Sequence, residues 1–348
     1  MIGLRSLSRV RRTASSLICG DRDTGFGAAR ASGAIRRRSI LFALLFCGAT
    51  SAAAQDAGVE PSALVCNEFK IQSARTLAQS PDSLQINNLL FEAARKGCVD
   101  ALESLLKAGA SPKARDRMGN NALAIASRMG RFAFVKALLD ADDKVDSDQL
   151  DRPNVLGSTP LIQAALANRT DVAKLLIGAG AKVDAANNQG ETALSAAAFN
   201  ANTALAEVLL AHKAPPDTTD ASGKGVIVYA AARGAARLVE MLLDAGVDSN
   251  RRYSADLTAL MWAAGHADNA PKDGALRTVK LLMERGATID LADDRGRTAL
   301  MIAASLNHGE IAQTLLAAGA DRSKRDKAGK SAADLADDPE VKAIIATP

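Results

Sequence analysis

Aromatic residues, cysteine and histidine are scarce in this chain of 348 residues. Aromatic side chains make up 3% of the sequence, and there are 4 cysteines and 3 histidines. A core with so few rings has to be built from Ala, Leu, Val and Ile, whose small side chains suit closely stacked helices. No two of His212, His266 and His308 are spaced i, i+4, and no His/Cys cluster accompanies them. The sequence therefore predicts no metal site.

Sequence motifs for catalysis are also missing. No G-x-S-x-G string occurs, and the chain offers no Cys/His or paired-carboxylate arrangement. Gly329-Lys330-Ser331 resembles the end of a phosphate-binding loop, but such a loop needs a glycine where this chain has Lys324. We therefore predict no catalytic residue, no cofactor and no small-molecule substrate, which leaves an enzyme as the least supported class.

The formal net charge of +4 is unevenly distributed. Residues 1–54 hold nine arginines, no lysine and only two acids, Asp21 and Asp23, whereas the remaining residues contain 34 bases and 37 acids. The body of the protein is thus mildly acidic, which argues against nucleic acid as its partner.

The arginine-rich start has the pattern of a targeting segment. In "RRRSILFALLFCGATSAAAQD", three arginines precede an apolar run at 40–46, and small residues follow up to Ala54. This is the order of a secretory signal peptide, and the run is too short to span a bilayer. We predict cleavage near Ala54, an exported bacterial protein that is periplasmic or secreted, and no membrane span after cleavage. A lipid anchor at Cys47, an organelle transit peptide and a start further downstream remain alternatives.

Two cysteines, Cys66 and Cys98, remain after such a cleavage. In an exported protein this number favours one disulfide bond between them. Two buried free thiols are the alternative.

A pattern G-x-T-x-L, followed by two alanines, recurs along the chain. Its first position is occupied in turn by Gly119, Gly157, Gly190, Gly223, Asp256, Gly296 and Gly329. The steps between these residues are 38, 33, 33, 33, 40 and 33 residues. A period of 33 with two insertions predicts a repeat architecture.

Each unit contains the signals of two helices. In "GSTPLIQAALANRTDVAKLLIGAGAKVDA", Thr159 can cap a helix whose first residue is Pro160. A second apolar face includes Val172 and Leu176, and Gly180 follows as a left-handed terminator. One such unit cannot bury its apolar faces alone, so the units have to stack.

These residues resemble the ankyrin-repeat family. "DDRGRTALMIAA" (293–304) and "NVLGSTPLIQAA" (154–165) match its motif most fully, and "SGKGVIVYAA" (222–231) departs from it with Gly225 in place of Thr. The resemblance implies an all-α solenoid of stacked helix-turn-helix units joined by β-hairpin-like loops, with capping units at both ends. It covers 87–348, after the leader at 1–54 and an N-terminal helical cap at 55–86. The expected units are about 87–115, 116–153, 154–186, 187–219, 220–252, 253–292, 293–325 and 326–348.

The resemblance also implies where a partner protein binds. In this family the loop tips and the exposed ends of the first helices form a concave contact face. The matching positions are Arg117, Met118, Arg128, Met129, Leu156, Leu166, Asn188, Gln189, Phe199, Asn200, Lys224, Arg233, Tyr253, His266, Arg295, Arg297 and Leu306. Tyr229 and Trp262 are assigned to the core, and His308 is expected to bond to backbone.

The function expected from this sequence is that of a non-enzymatic scaffold, which binds another protein through the concave face in an exported compartment. The alternative is a structural or assembly factor that stabilises an exported enzyme or envelope complex. Neither hypothesis identifies the partner.

Overall fold

The computed structural model of the chain describes residues 61–141, 147–265 and 272–347. The predicted leader at 1–54, the alternative anchor Cys47 and the candidate contact His266 lie outside the described residues. Within those residues, no helix is both long enough and apolar enough to cross a bilayer.

Eighteen α-helices make up the described part of the chain, together with a 3₁₀ turn at Ser254–Asp256. They are α1 Ala63–Leu77, α2 Ser83–Lys96, α3 Val99–Lys107, α4 Ala122–Met129, α5 Phe132–Asp140, α6 Ser147–Leu150, α7 Pro160–Leu166, α8 Thr170–Gly178, α9 Ala193–Phe199, α10 Thr203–Ala211, α11 Val226–Ala232, α12 Ala236–Asp244, α13 Ala259–Ala264, α14 Lys272–Glu284, α15 Ala299–Ser305, α16 Gly309–Ala317, α17 Ala332–Leu335 and α18 Pro339–Ala346. The all-α fold class is therefore confirmed.

The first helix of every unit except α11 begins after a residue whose side chain caps it, whereas α11 follows Gly225, which has no side chain to do so. The Thr159 hydroxyl accepts a hydrogen bond from the N–H of Ile162 at 3.3 Å, and Pro160 occupies the first helical position as predicted. Thr192 makes the equivalent bond to the N–H of Ser195 at 3.1 Å. These bonds satisfy amide groups that the helix itself leaves unpaired.

Stacking gives the units a shared core. From α4 onward, the first helices of successive units pack against one another, and the second helices do the same. Four residues after each of the first six register positions, a buried aliphatic side chain joins this core: Leu123, Leu161, Leu194, Ile227, Leu260 and Leu300. Because every unit covers the apolar face of its neighbour, the core is continuous along the solenoid.

The N-terminal end differs from the boundary expected at residue 87. Helix α2 begins at Ser83, because Asp82 and Gln85 form a capping box in which Gln85 N–H donates to Asp82 Oδ1 at 2.7 Å. The first unit therefore starts four residues earlier than the repeat pattern indicates. The G-x-T-x-L turn is absent there, so the pattern could not locate this start.

A disulfide bond joins Cys66 in α1 to Cys98, with Cα atoms 5.2 Å apart. The bond connects the N-terminal cap helix to the residue that precedes α3. Of the two alternatives that the sequence left open, a disulfide bond or two free thiols, the structure contains the disulfide bond.

Replacement of Leu176 by alanine should test the burial of the second-helix face. Leu176 is fully buried, so removing its side chain leaves a cavity, and we expect the free energy of unfolding to fall by about 2–5 kcal/mol. Urea denaturation followed by circular dichroism measures the change. Leu166→Ala, at an exposed site of the same unit, serves as the control and should leave the midpoint nearly unchanged.

Replacement of Ser127 by alanine should instead stabilise the protein. Its hydroxyl is fully buried and has no hydrogen-bond partner among the described residues, and aligned units carry alanine here, as at Ala165 and Ala198. Removing an unsatisfied buried hydroxyl should raise the free energy of unfolding by about 1–3 kcal/mol. A lower urea midpoint for Ser127→Ala would contradict this reading.

Candidate functional site

The loop tips between units, here called fingers, are held by their own Asp or Asn side chains. In the second unit, Asp116 Oδ1 accepts from the N–H groups of Met118 at 2.9 Å and Asn120 at 2.8 Å. The same pair of bonds forms at Asn154, Asn187, Asp220, Asp293 and Asp326. Short polar side chains that accept from the backbone two residues ahead are typical turn formers.

Backbone hydrogen bonds also connect each finger to the next. Val155 N–H donates to the Met118 carbonyl at 3.0 Å, and Asn188 N–H donates to the Leu156 carbonyl at 2.9 Å. Equivalent bonds continue to the last finger, where Lys327 N–H donates to the Arg295 carbonyl at 2.9 Å. These backbone bonds align the fingers in one row, and side-chain bonds such as that from Asn154 Nδ2 to Asn120 Oδ1 at 3.0 Å add to them.

Most of the predicted contact residues are accessible in this arrangement. Five of them are exposed large apolar side chains, of which four lie in three consecutive units, with Met118 exposed by 49%, Leu156 by 57%, Leu166 by 41% and Phe199 by 37%. The other exposed candidates are Arg117, Arg128, Asn188, Gln189, Arg295 and Leu306, and the half-buried ones are Met129, Asn200, Lys224, Arg233 and Arg297. Arg297 contributes to its own finger, because its Nη2 lies 2.8 Å from Asp293 Oδ2.

An aromatic cluster with two cations lies in the middle of this face. The Phe199 and Tyr229 rings meet edge to face with centroids 6.0 Å apart. Arg233 Cζ lies 5.0 Å from the Phe199 centroid, and its Nε donates to the Phe199 carbonyl at 2.8 Å. Lys224 Nζ lies 6.0 Å from the Tyr229 centroid. Tyr and Arg are the residue types enriched at the energetic centres of interfaces.

Tyr229 was assigned to the core, but the structure leaves it half-buried within this cluster. Its hydroxyl donates a hydrogen bond to Asp220. Burial, together with the neighbouring Asp220 carboxylate, raises the pKa of Tyr229, so the phenol stays protonated. Burial opposes ionisation of Asp220, but hydrogen bonds from Tyr229 and Ser222 nevertheless lower the pKa of that carboxyl. Three of the residues around it, Phe199, Lys224 and Arg233, were predicted on this face from the sequence, and they were the signal that could have placed Tyr229 there.

The prediction that Tyr253 lies on the contact face is wrong, because Tyr253 is only 7% exposed. Its ring lies against Gly225, where an added Cβ would be 2.2 Å from Tyr253 Cε1. The hydroxyl of Tyr253 donates to Asp217 Oδ1 at 3.2 Å. The aligned residue in other units is the Asp or Asn that caps the finger, which is half-buried or, at Asp293, buried. The prediction for Tyr253 rested only on its place directly before a finger.

The fifth full finger has a different backbone because Tyr253 cannot cap it. Ala255 and Asp256 both adopt left-handed conformations, with φ of 61° and 58°. Asp256 stands where the other units have glycine, which adopts such conformations without strain. The backbone bond to this finger is also displaced, since Ser254 N–H donates to the Gly223 carbonyl at 3.0 Å.

Two other features, His308 and the insertion after α5, contribute to the packing of the solenoid. His308 Nδ1 lies 2.8 Å from the Ala264 carbonyl, so the expected bond to backbone is confirmed. Helix α6, in the insertion after α5, buries Gln149 and Leu150. In the described ranges, no three His, Cys, Asp or Glu side chains are grouped closely enough to hold a metal ion.

Gly225 and Tyr253 should be energetically coupled. Gly225→Thr restores the usual capping residue but collides with the Tyr253 ring, and Tyr253→Asp restores the usual turn former but leaves space beside Gly225. Each single variant should be destabilised, whereas the double variant should be more stable than the sum of the two effects, by about 0.5–3 kcal/mol. Urea denaturation of the four proteins measures this coupling, and strictly additive effects would contradict the proposed contact.

Comparison with known proteins agrees with this architecture. A family model described as ankyrin repeats in three copies matches residues 144–220 and 227–326, and one described as ankyrin repeats in many copies matches 90–139. Ankyrin repeat domain-containing protein 63 of Mus musculus is 42% identical over 74 residues, which are 21% of this chain and 18% of that protein. Protein phosphatase 1 regulatory subunit 27 of Homo sapiens is 40% identical over 72 residues, which are 21% of this chain and 46% of that protein. Dauer abnormal formation protein 25 of Caenorhabditis elegans is 34% identical over 98 residues, which are 27% of this chain and 23% of that protein. These matches span less than half of each relative, but the family models cover more than half of this chain, and the chain belongs to the ankyrin-repeat family.

Proposed function

We propose that this protein is a non-enzymatic scaffold that binds a partner protein through the face formed by its fingers and the exposed ends of its first helices. Ankyrin repeats are protein-interaction modules, so a protein partner follows from the family. The observation that supports this face is the alignment of exposed apolar side chains in consecutive units, at Met118, Leu156, Leu166 and Phe199. Single exposed apolar residues are ordinary, whereas a contiguous group indicates an interaction site.

The backbone arrangement supports the same proposal. Because the fingers are aligned by backbone bonds, residues such as Met118, Leu156 and Gln189 can present their side chains to a partner without loss of finger structure. A relative is named as a regulatory subunit of protein phosphatase 1. That name is consistent with a role for shared repeats in holding another protein.

We also propose that the protein acts in an exported, oxidising compartment. The disulfide between Cys66 and Cys98 supports this location, because disulfides persist in such compartments and are rare in reducing ones. The arginine-rich and apolar pattern before Ala54 is consistent with it.

Site-specific photo-crosslinking in the native host tests the proposed face. A photoreactive amino acid at Gln189, on a finger, should capture a partner protein, whereas the same group at Lys174 should not. Lys174 is an exposed residue of the second helix α8 and provides the matched control. Equal capture from both positions, or capture from Lys174 alone, would contradict binding at the fingers.

Intact-mass measurement tests the proposed compartment. A chain recovered from the exported fraction should begin at Gln55 and should be alkylated at Cys66 and Cys98 only after reduction. A cytosolic chain that retains the leader and reacts at both thiols without reduction would overturn the export proposal. It would leave the proposed binding face unaffected.

A further inference from the structure

Four apolar side chains form a group that we call the apolar row, namely Met118, Leu156, Leu166 and Phe199. Met118 and Leu156 occupy the same place in neighbouring fingers, which are joined by the bond from Val155 N–H to the Met118 carbonyl. Leu166 and Phe199 occupy the same place at the ends of α7 and α9, which pack against each other. The row therefore crosses consecutive units on one face.

Two arginines flank the apolar row without a charged partner. Arg117 precedes Met118 in its finger, and Arg128 holds the place in α4 that Leu166 holds in α7. Both are exposed, and neither forms an ion pair with any carboxylate in the described part of the chain. On the second helices, by contrast, Lys136 pairs with Asp140.

Carboxylates near the row are already engaged in holding the fingers. Asp116 accepts from two backbone N–H groups and from the Asn120 side chain. Glu191 accepts from Asn187 Nδ2 at 2.8 Å. The positive charge of Arg117 and Arg128 is thus available to a ligand.

We infer that the segment of the partner bound at the apolar row is an acidic polypeptide, in which Asp or Glu residues flank aliphatic or aromatic side chains. This inference rests on the proposed function and specifies its partner chemically. Apolar anchors of the partner cover the row, and its carboxylates accept hydrogen bonds from the guanidinium groups of Arg117 and Arg128, which suit bidentate pairing.

A polypeptide fits this surface better than nucleic acid does. Proteins that bind single-stranded nucleic acid do so in a positively charged groove, where successive bases stack on aromatic side chains. In the apolar row, Phe199 is the one aromatic residue. Met118, Leu156 and Leu166 offer contacts to apolar side chains instead. An extended peptide of about 12 residues is about 40 Å long, which is enough to cross the three units of the row at about 8–10 Å each.

Selection from a random peptide library displayed on phage tests the inference with a defined probe. Peptides of about 12 residues, long enough to cross the row, are selected on the intact exported chain with its disulfide formed. We expect the enriched peptides to combine Asp or Glu with Leu, Ile, Val or Phe. Enrichment of basic peptides, or no enrichment, overturns the inference.

Charge-reversal variants locate the binding of a selected peptide. Arg117→Glu with Arg128→Glu should weaken its affinity by about tenfold or more and should reduce the dependence of affinity on salt between about 0.02 and 0.5 M. The control pair Lys174→Glu and Arg277→Glu makes the same change of charge on exposed second-helix positions. It should change affinity less than about twofold, because exposed charges remote from the peptide are screened. Equal losses from both pairs would overturn the inference.

Apolar variants provide an independent readout. Leu156→Ser with Leu166→Ser should lower affinity with little loss of stability, since both side chains are exposed in the free protein. Leu64→Ser with Leu84→Ser is the matched control, because these leucines are exposed in α1 and at the start of α2. If the control pair abolishes binding and the first pair does not, the row is not the binding surface.

Two further outcomes separate this inference from the proposed function. If a single-stranded oligothymidylate binds more tightly than the peptides and with the same variant pattern, the surface recognises nucleic acid and the inference is overturned. If the partner captured at Gln189 lacks an acidic, apolar segment and the reversals at Arg117 and Arg128 do not affect it, the inference fails while the proposed function stands. Failure of capture at the fingers counts against the proposed function itself.

Discussion

The structure depends on the inability of one helix pair to bury its own apolar faces. A unit of 33 residues with two short helices gains too little from its own contacts to offset the entropy of ordering its chain. Stacking adds the burial that a single unit lacks. Neighbouring units cover the aliphatic side chains that lie four residues after the register positions, from Leu123 to Leu300. The scarcity of aromatic residues is a consequence, since alanine and leucine allow the helices to approach closely.

Because stability comes from the contacts between units, the stability of the fold restricts few of the side chains in the fingers. Backbone bonds between fingers, such as that between Val155 and Met118, are independent of the side chains at these positions. The capping bonds use one Asp or Asn in each finger, as at Asp116. The residues between the capping side chain and the glycine are therefore free to differ, and in this chain they range from Met118 and Leu156 to Arg295.

The periodic features of the fold could be predicted from sequence, whereas the packing of Tyr253 against the preceding unit could not. The spacing of the G-x-T-x-L pattern predicted stacked helix pairs, and Thr159 and Pro160 predicted the start of a first helix. The start of α2 at Ser83 escaped because its capping box lies outside the pattern. Tyr253 was misplaced because it directly precedes a finger, although the residues aligned with it in other units are half-buried or buried. Only its partner Gly225, in the preceding unit, explains why the ring turns inward.

The pair of Gly225 and Tyr253 suggests how departures from a repeat motif divide into two kinds. Each of these residues is unfavourable alone: one removes a helix cap and the other removes a turn former. The ring of the second fills the space that the first leaves, so the two departures compensate each other within the chain. Arg117 and Arg128 differ, because they are exposed and no described carboxylate compensates their charge. A departure with a partner inside the solenoid is explained by stability, and an exposed, uncompensated one is best explained by a partner outside it.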